Sequence, residues 1–213
     1  MLLFAKYTNR YIFAIMLTKA ERTRQLIIER SAPLFNQKGY AGTSMNDIME
    51  ATGLTKGGLY GNFTSKDEIA ALAFEYSYNK HKTELVTRIR QESTASAKLL
   101  AILAFYRNYQ ARPTIEGGCP LLNTAIDADD AYPFLKKRAK EALHDMLSGL
   151  QHIIQKGIEH KEFKPDTDAR REAERFFAQI EGGIMMAKLQ DDSRILNRLL
   201  DNLKQHITND LKL

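Results

Sequence analysis

Residues 43–66 read Thr-Ser-Met-Asn-Asp-Ile-Met-Glu-Ala-Thr-Gly-Leu-Thr-Lys-Gly-Gly-Leu-Tyr-Gly-Asn-Phe-Thr-Ser-Lys, and this stretch predicts two short helices that meet at a glycine. Ser44 with Asp47 three residues later is the pattern of a capping box, which begins a helix. Gly53 stands where that helix must end, because glycine adopts the left-handed conformation of a C-terminal cap without a clash at Cβ. A second short helix begins near Thr55. The pattern indicates a helix-turn-helix, whose second helix fits the major groove of DNA.

Positive charge is concentrated in the segment that contains this motif. Residues 1–66 hold nine Lys or Arg and four Asp or Glu, a net charge of +5, whereas residues 67–213 hold twenty-two of each. Such an asymmetry is typical of a nucleic-acid-binding module joined to a neutral one. The single cysteine, Cys119, excludes an internal disulfide and fits a reducing cytoplasm. No apolar run is long enough for a transmembrane helix, so we expect no membrane partner.

The helix-turn-helix is embedded in a longer pattern. Its parts are Leu34-Phe35-x-x-Lys38-Gly39-Tyr40-x-x-Thr43-Ser44, Ile48-x-x-x-Thr52-Gly53-Leu54 and Lys56-Gly57-Gly58-Leu59-Tyr60-x-x-Phe63-x-x-Lys66-x-x-Ile69. The pattern, about the first third of the chain, resembles the TetR/AcrR family of bacterial transcriptional regulators. The resemblance implies an all-α fold of about nine helices. It would comprise a three-helix DNA-binding domain at 18–66 and a helical ligand-binding and dimerisation domain at 67–213, with 67–90 as connecting helix.

The resemblance also implies which residues contact DNA. Hydroxyls and free N–H groups at a helix start would bind a phosphate, and glycines would let the protein backbone approach DNA closely. An aromatic residue and a lysine would hold the phosphate backbone on either side of the groove. An asparagine amide could read a base edge by pairing bidentately with adenine. The matching positions are Thr43, Ser44, Thr55, Lys56, Gly57, Gly58, Tyr60, Asn62 and Lys66. For Tyr60, a packing role is the alternative.

The remaining chain reads as helices separated by short breaks. The first helix has an interior proline, Pro33, where we expect a kink. Apart from the helix-turn-helix, the expected helices span 19–38, 66–90, 96–112, 121–127, 133–160, a segment from its cap Asp166 to Leu189, and 192–209. The last two helices each carry a broad apolar stripe. This predicts a homodimer, because a partner subunit offers a second apolar surface against which the stripes can be buried. The interface residues that we predict are Ile180, Gly183, Ile184, Ala187, Leu196, Leu199, Leu200 and Leu203.

The family's effectors bind inside the helical bundle. The expected function is therefore that of a repressor that a small apolar ligand releases from a palindromic operator. Candidate pocket residues are Phe105, Tyr106, Tyr109, Cys119, Leu122, Met146, Phe176, Phe177 and Met185. Gly118-Cys119-Pro120 is similar to a turn of one subgroup of the family. A helix N-terminus lowers the pKa of a thiol, so a regulator that responds to oxidation or electrophiles is an alternative.

Catalysis and metal binding find little support in the residues. His144, His152 and His160 recur every eight residues, which turns successive side chains away from a common metal site. We expect no enzyme, no cofactor and no metal. The alternative outside the regulator class is a helical ligand-binding or enzymatic protein whose basic N-terminal unit contacts another protein.

The first seventeen residues are apolar and aromatic and precede a capping box at Thr18 and Glu21. We expect Met16 to be the natural start of the protein, so that residues 1–15 are a mis-assigned sequence upstream of that start. The alternative is a basic arm that touches DNA.

Overall fold

A computed structural model of the chain describes residues 18–109 and 111–213, and most of these residues are helical. The expectations for the extension 1–17, including a start at Met16, lie outside them. In the described part, the α-helices are α1 (Lys19–Gly42), α2 (Met45–Thr52), α3 (Lys56–Tyr60), α4 (Lys66–Ile89), α5 (Ala95–Arg107), α6 (Pro120–Asp127), α7 (Pro133–Glu159), α8 (Ala169–Leu189) and α9 (Ser193–Gln205). A π-helical turn, His206–Leu211, follows α9. The all-α prediction is confirmed. None of these helices is long and apolar enough to cross a bilayer.

Side-chain caps begin most of the helices, as their sequences predict. Both capping boxes, at Thr18 of α1 and at Ser44 of α2, are complete. The cap of α8 is Asp168 and not the predicted Asp166, because the Asp168 carboxylate accepts the N–H groups of Arg170 and Arg171, each at 3.1 Å.

Three predicted helix features differ in the structure. Helix α1 extends to Gly42 instead of residue 38, with an interruption at Gly39, whose φ of 71° and ψ of 179° are its only non-helical angles. Helix α5 ends at Arg107 instead of Arg112. The last α-helix ends at Gln205, where the backbone changes to the π-helical turn.

The apolar residues form two cores. A small core joins α1 to α4 through Ile27, Ile48, Leu59, Phe63 and Ile69, and a larger core fills the bundle of α4 to α9. Helix α4 contributes to both, since Ile69 lies in the first and Phe74, Tyr78 and Leu85 lie in the second. It therefore connects the two parts as one continuous element.

The predicted dimer interface is largely occupied inside the single chain. Of its eight residues, Leu199 alone is not buried, and α8 packs its stripe against α9 of the same chain. A Cβ on Gly183 would lie 2.9 Å from Leu196 Cδ1, which shows how closely the two helices approach. The seven buried residues are therefore not available to a partner, because a helix can bury one stripe only once, and Leu199 stays a prediction.

Close packing of Gly157 on α7 generates a test of this fold. A Cβ at Gly157 would overlap the ring of the fully buried Phe163 and lie 2.9 Å from Ala95 Cβ. We expect Gly157→Ala to lower the free energy of unfolding by about 1–3 kcal/mol. A Cβ at Gly149 of the same helix would meet no atom within 4 Å, so Gly149→Ala should raise stability by about 1 kcal/mol. Urea unfolding followed by circular dichroism measures both, and equal effects would contradict the packing described.

Candidate nucleic-acid interface and ligand cavity

The turn between α2 and α3 has the geometry that its sequence requires. Gly53 is left-handed, with φ of 70° and ψ of 15°, and its N–H donates to Met49 O at 2.8 Å. Ile48 of α2 and Leu59 of α3 are completely buried and fix both helices on the small core. The opposite side of α3 therefore faces solvent.

The exposed side of α3 carries a cation, an aromatic ring and open backbone. Thr55 caps the helix by accepting Gly58 N–H at 3.2 Å. Lys56 and Gly57 are exposed, and a Cβ at Gly57 would meet no atom within 4 Å. Tyr60 is 49% exposed, with Lys56 Nζ 5.9 Å from its ring centroid. Tyr60 thus lies on the surface and not in the core, and a polyanion could approach this side without steric hindrance.

Two of the residues predicted to contact DNA are engaged within the fold. Thr43 is fully buried and its hydroxyl donates to Gly39 O at 2.8 Å, so the hydroxyl is not available to a phosphate. The Asn62 amide donates one of its two N–H groups to Gly58 O at 2.8 Å, which ties the side chain to α3. Ser44 is exposed at the start of α2, where its N–H and its hydroxyl both donate to the Asp47 carboxylate.

Lys66 lies at the junction between the small core and the bundle. Its Nζ is 4.1 Å from the ring centroid of Tyr40. Burial lowers the pKa of Lys66, and Asp67, Asp127 and Asp47 oppose this shift. The ammonium is therefore half-enclosed, and a phosphate contact would have to share it with the Tyr40 ring.

Arg24 of α1 holds the end of α3 and the start of α4, a role that the sequence did not indicate. Its guanidinium donates to Asn62 O and to Glu68 Oε1, the latter at 2.8 Å, and lies 4.1 Å over the ring centroid of Phe63. Hydrogen bonds from Arg24 and then Thr64 lower the pKa of Glu68 to about 2. The partners are 38 and 44 residues away from Arg24, so no local pattern could identify them.

A second contact set joins α1 to the bundle. The buried Asn36 side chain donates to Glu116 O at 2.8 Å and to Gly118 O at 3.0 Å. Asn123 of α6 donates to Asn36 O at 3.0 Å, Asn36 Oδ1 at 3.1 Å and Gly117 O at 3.1 Å. We call this contact set the Asn36–Asn123 junction. It fixes α1 on the loop that precedes α6.

A cavity of about 210 Å³ lies between α4, α5, α7 and α8. Of the nine residues predicted for a ligand pocket, Tyr106, Met146 and Phe177 line it. Its other walls are mainly aliphatic side chains, and its polar lining residues are Tyr78, Lys82, Tyr106 and Asp145.

The other six predicted pocket residues lie elsewhere. Phe105 and Tyr109 pack around the His81 ring, and Phe176 is fully buried near the His206 ring. Leu122 is partly buried against the large core, Met185 is 52% exposed, and Cys119 is buried beside Glu181.

A buried polar cluster lies next to the cavity. The His81 ring contacts the Tyr106 hydroxyl through Nε2 at 2.9 Å and the Tyr109 hydroxyl through Nδ1 at 3.3 Å. Burial lowers the pKa of His81 to about 4, so the imidazole is neutral at physiological pH. Its two nitrogens can then serve one as donor and the other as acceptor.

Cys119 is not the activated thiol that its position at a helix N-terminus predicts. Its Sγ donates to Glu181 Oε1 at 3.1 Å, and both residues are buried. Burial, followed by the neighbouring Glu181, raises the pKa of Cys119 well above its usual value, and the N–H of Leu122 does not offset this. The predicted lowered pKa is wrong, and the physical basis for a thiol-responsive regulator is lost.

Two sequence families match this chain. One, described as bacterial regulatory proteins of the tetR family, matches residues 27–73, and the other, described as the tetracyclin repressor-like C-terminal domain, matches residues 95–203. A transcriptional regulator from Lactococcus lactis is 28% identical over 189 residues, which cover 85% of this chain and 91% of that protein. The repressor DhaR from a Mycobacterium species is 21% identical over 180 residues, which cover 83% and 88%.

Two solved structures of TetR-family transcriptional regulators resemble this fold over almost its whole length. The regulator from Cytophaga hutchinsonii is 39% identical with a TM-score of 0.86, and the match covers 92% of this chain and 98% of that one. The regulator from Chloroflexus aurantiacus is 36% identical with a TM-score of 0.89, covering 92% and 100%.

The buried Glu181 generates a pH-dependent prediction. Burial raises the pKa of its carboxyl from 4.5 to about 7, so the folded protein holds this proton more tightly than the unfolded chain does. The carboxyl thus contributes stability that is present below pH 4.5 and is lost as the pH rises towards 7. Glutamine cannot titrate, so we expect the stability of Glu181→Gln relative to the parent to increase by up to about 3 kcal/mol between pH 4.5 and 8.

Urea unfolding across this pH range measures the difference, and the titration of His81 cancels because both proteins contain it. Glu174→Gln, at an exposed position of the same helix, is the control and should show little change. A difference that is independent of pH would show that the pKa of Glu181 is the same in the folded and the unfolded protein, which would contradict the raised pKa.

Proposed function

The chain belongs to the TetR family of bacterial transcriptional regulators, which are not enzymes, and on this basis we propose that it is a homodimeric repressor. It binds a palindromic operator in chromosomal DNA and leaves it when a small molecule occupies the cavity between α4, α5, α7 and α8. The observation that carries the proposal is the exposed side of α3, where Lys56 and Tyr60 flank open backbone, within the segment 1–66 that has a net charge of +5.

The proposed DNA contacts follow from which predicted residues are accessible. Ser44, Thr55, Lys56, Gly57 and Tyr60 are exposed and contact the backbone and groove. Gly58 is half-buried against Leu54 and Thr55, so it serves to seat α3. Lys66 contacts phosphate only at the edge of the site, because its ammonium lies over Tyr40. Neutralising several phosphates makes binding steeply dependent on salt.

The proposed dimer uses the outer side of α8. Ala178, Met185 and Leu189 are exposed there, with the half-buried Gly182 between them, and their spacing places all four on one face of the helix. Met185 is 52% and Leu189 is 82% exposed. Small residues within an apolar stripe allow a second helix to approach closely. A partner bound to this stripe could place two copies of α3 one turn of DNA apart, roughly 34–36 Å.

Two connections support release by a ligand. Helix α4 carries Ile69 of the small core and, farther along, Tyr78, Lys82 and Leu85 of the cavity wall. The Asn36–Asn123 junction ties α1 to the bundle independently of α4. An occupant that moves α4 within the bundle therefore changes the orientation of α2 and α3. The repressor mode is that of DhaR, a relative named as a repressor.

Lys56 and Tyr60 provide the first test of DNA binding. We expect Lys56→Ala and Tyr60→Ala each to weaken binding about tenfold, because each removes a contact to the phosphate backbone or groove. Lys56→Ala should also reduce the slope of log K against log salt by about 1, the signature of one lost phosphate contact. Fluorescence anisotropy with a genomic fragment that the parent protein retains measures both. Lys140→Ala, at an exposed position of α7, is the matched control, and equal behaviour of the two lysine variants would reject the proposed surface.

The Asn36–Asn123 junction provides a second test. Asn123→Ala removes three hydrogen bonds that orient α1 but no proposed DNA contact. We therefore expect affinity for DNA to fall about three- to tenfold while the salt slope stays that of the parent protein. Asn79→Ala, at an exposed position of α4, is the control. A reduced salt slope in Asn123→Ala would instead mean that phosphate contacts were lost.

A further inference from the structure

The inner walls of the cavity offer no free polar group to a ligand. The Tyr78 hydroxyl lies 2.9 Å from Ala142 O and 2.7 Å from Asp145 Oδ2, and these two acceptors share its single proton. The Tyr106 hydroxyl is paired with His81 Nε2 at 2.9 Å. The remaining inner side chains are apolar, Met146 and Phe177 among them. The enclosed part of an occupant must therefore be apolar, since a polar group there would lose its hydrogen bonds to water.

One ion pair, Lys82 with Asp145, lies at the mouth of the cavity, and its two members differ in how many hydrogen-bonding groups remain unpaired. Lys82 Nζ lies 2.8 Å from Asp145 Oδ1 and 2.6 Å from Oδ2, and the two side chains are 42% and 43% exposed. Asp145 thus accepts hydrogen bonds from Lys82 at Oδ1 and from Tyr78 at Oδ2, and both of its oxygens lie within ion-pair distance of Lys82 Nζ. An ammonium has three donors, and Lys82 has no other partner among the described residues. The unused group at the mouth is therefore chiefly a charged donor.

The cavity also limits the size of its occupant. A dry cavity of about 150 Å³ accepts benzene, and pockets for drug-sized ligands are about 300–1,000 Å³. The volume here, about 210 Å³, lies between these sizes. It suits roughly ten non-hydrogen atoms, which corresponds to one ring with a short substituent or an unbranched chain of about eight carbons.

We infer that the cavity binds a small amphipathic molecule of this size whose apolar body fills the interior and whose single carboxylate or carbonyl head accepts a hydrogen bond from Lys82. The inference rests on the proposed function in one respect only, namely that this molecule is the effector. Binding itself follows from the shape of the cavity and the donor at its mouth.

Three probes with the same eight-carbon chain distinguish the head groups: octanoate, octanol and octylamine. Isothermal titration of the full-length protein should give the tightest binding for octanoate and the weakest for octylamine, differing by about tenfold or more. Lys82→Gln should reduce the affinity for octanoate to that for octanol. Tighter binding of octylamine than of octanoate would overturn the inference.

Gly149 allows the cavity to be blocked without damage to the fold. It lines the cavity, and a Cβ there meets no atom within 4 Å, so Gly149→Leu adds a side chain at the rim and also favours the helix. We expect this variant to unfold at a higher temperature than the parent and to bind octanoate at least about tenfold more weakly. Gly149→Ala is the control and should bind octanoate like the parent protein. Unchanged octanoate binding in Gly149→Leu would place the ligand elsewhere and overturn the inference.

DNA binding by the same samples separates this inference from the proposed function. If the parent protein binds DNA but binds no probe, the inference fails and the regulator stands. If the three probes bind in the expected order and Gly149→Leu blocks octanoate, the inference is supported, whether or not DNA is released. DNA that is retained in that case contradicts the ligand-release step of the proposed function.

Discussion

The structure depends on one continuous helix, α4, which contributes residues to two separate cores. Ile69 near its start packs against α2 and α3, and Tyr78, Lys82 and Leu85 farther along form a wall of the cavity. A continuous hydrogen-bonded helix is stiff, so a shift or tilt of one end displaces the other end as well. The Arg24 contacts make the DNA-reading end respond as a unit, since they join α1 to the end of α3 and the start of α4.

The rule that an apolar stripe can be buried only once decides which surface remains for a partner. Packing of α8 against α9 within the chain uses the stripe that contains Ile184 and Leu196, and this leaves Met185 and Leu189 on the outer side. A dimer built on the outer side keeps the bundle core intact. The spacing of the two copies of α3 then depends on how each bundle holds its α4, which links the proposed interface to the proposed effector site.

Local signals in the sequence predicted most of the fold. Ser44, Asp47 and Gly53 act within a few residues of one another, and their caps and turn appear as predicted. Contacts distant in sequence were not accessible in this way, as Asn36 with Asn123 and Arg24 with Glu68 show. The same reason explains the errors at Thr43 and Cys119. Each has a local pattern typical of an exposed, functional group, but tertiary packing buries it. Three of the nine pocket residues line the cavity because periodicity identifies apolar positions but not the gaps between them.

In the proposed dimer, α3 reads a specific DNA sequence. The most direct measurement is recovery of genomic fragments on the purified protein, followed by sequencing of what is retained at moderate salt. We expect one or a few fragments that share a palindrome, with half-site centres one helical turn of DNA, roughly 34–36 Å, apart. Retention of fragments from the whole genome without sequence preference, decreasing steadily as salt is added, would mean that the basic segment binds DNA only through its charge. This result would contradict sequence-specific reading by α3.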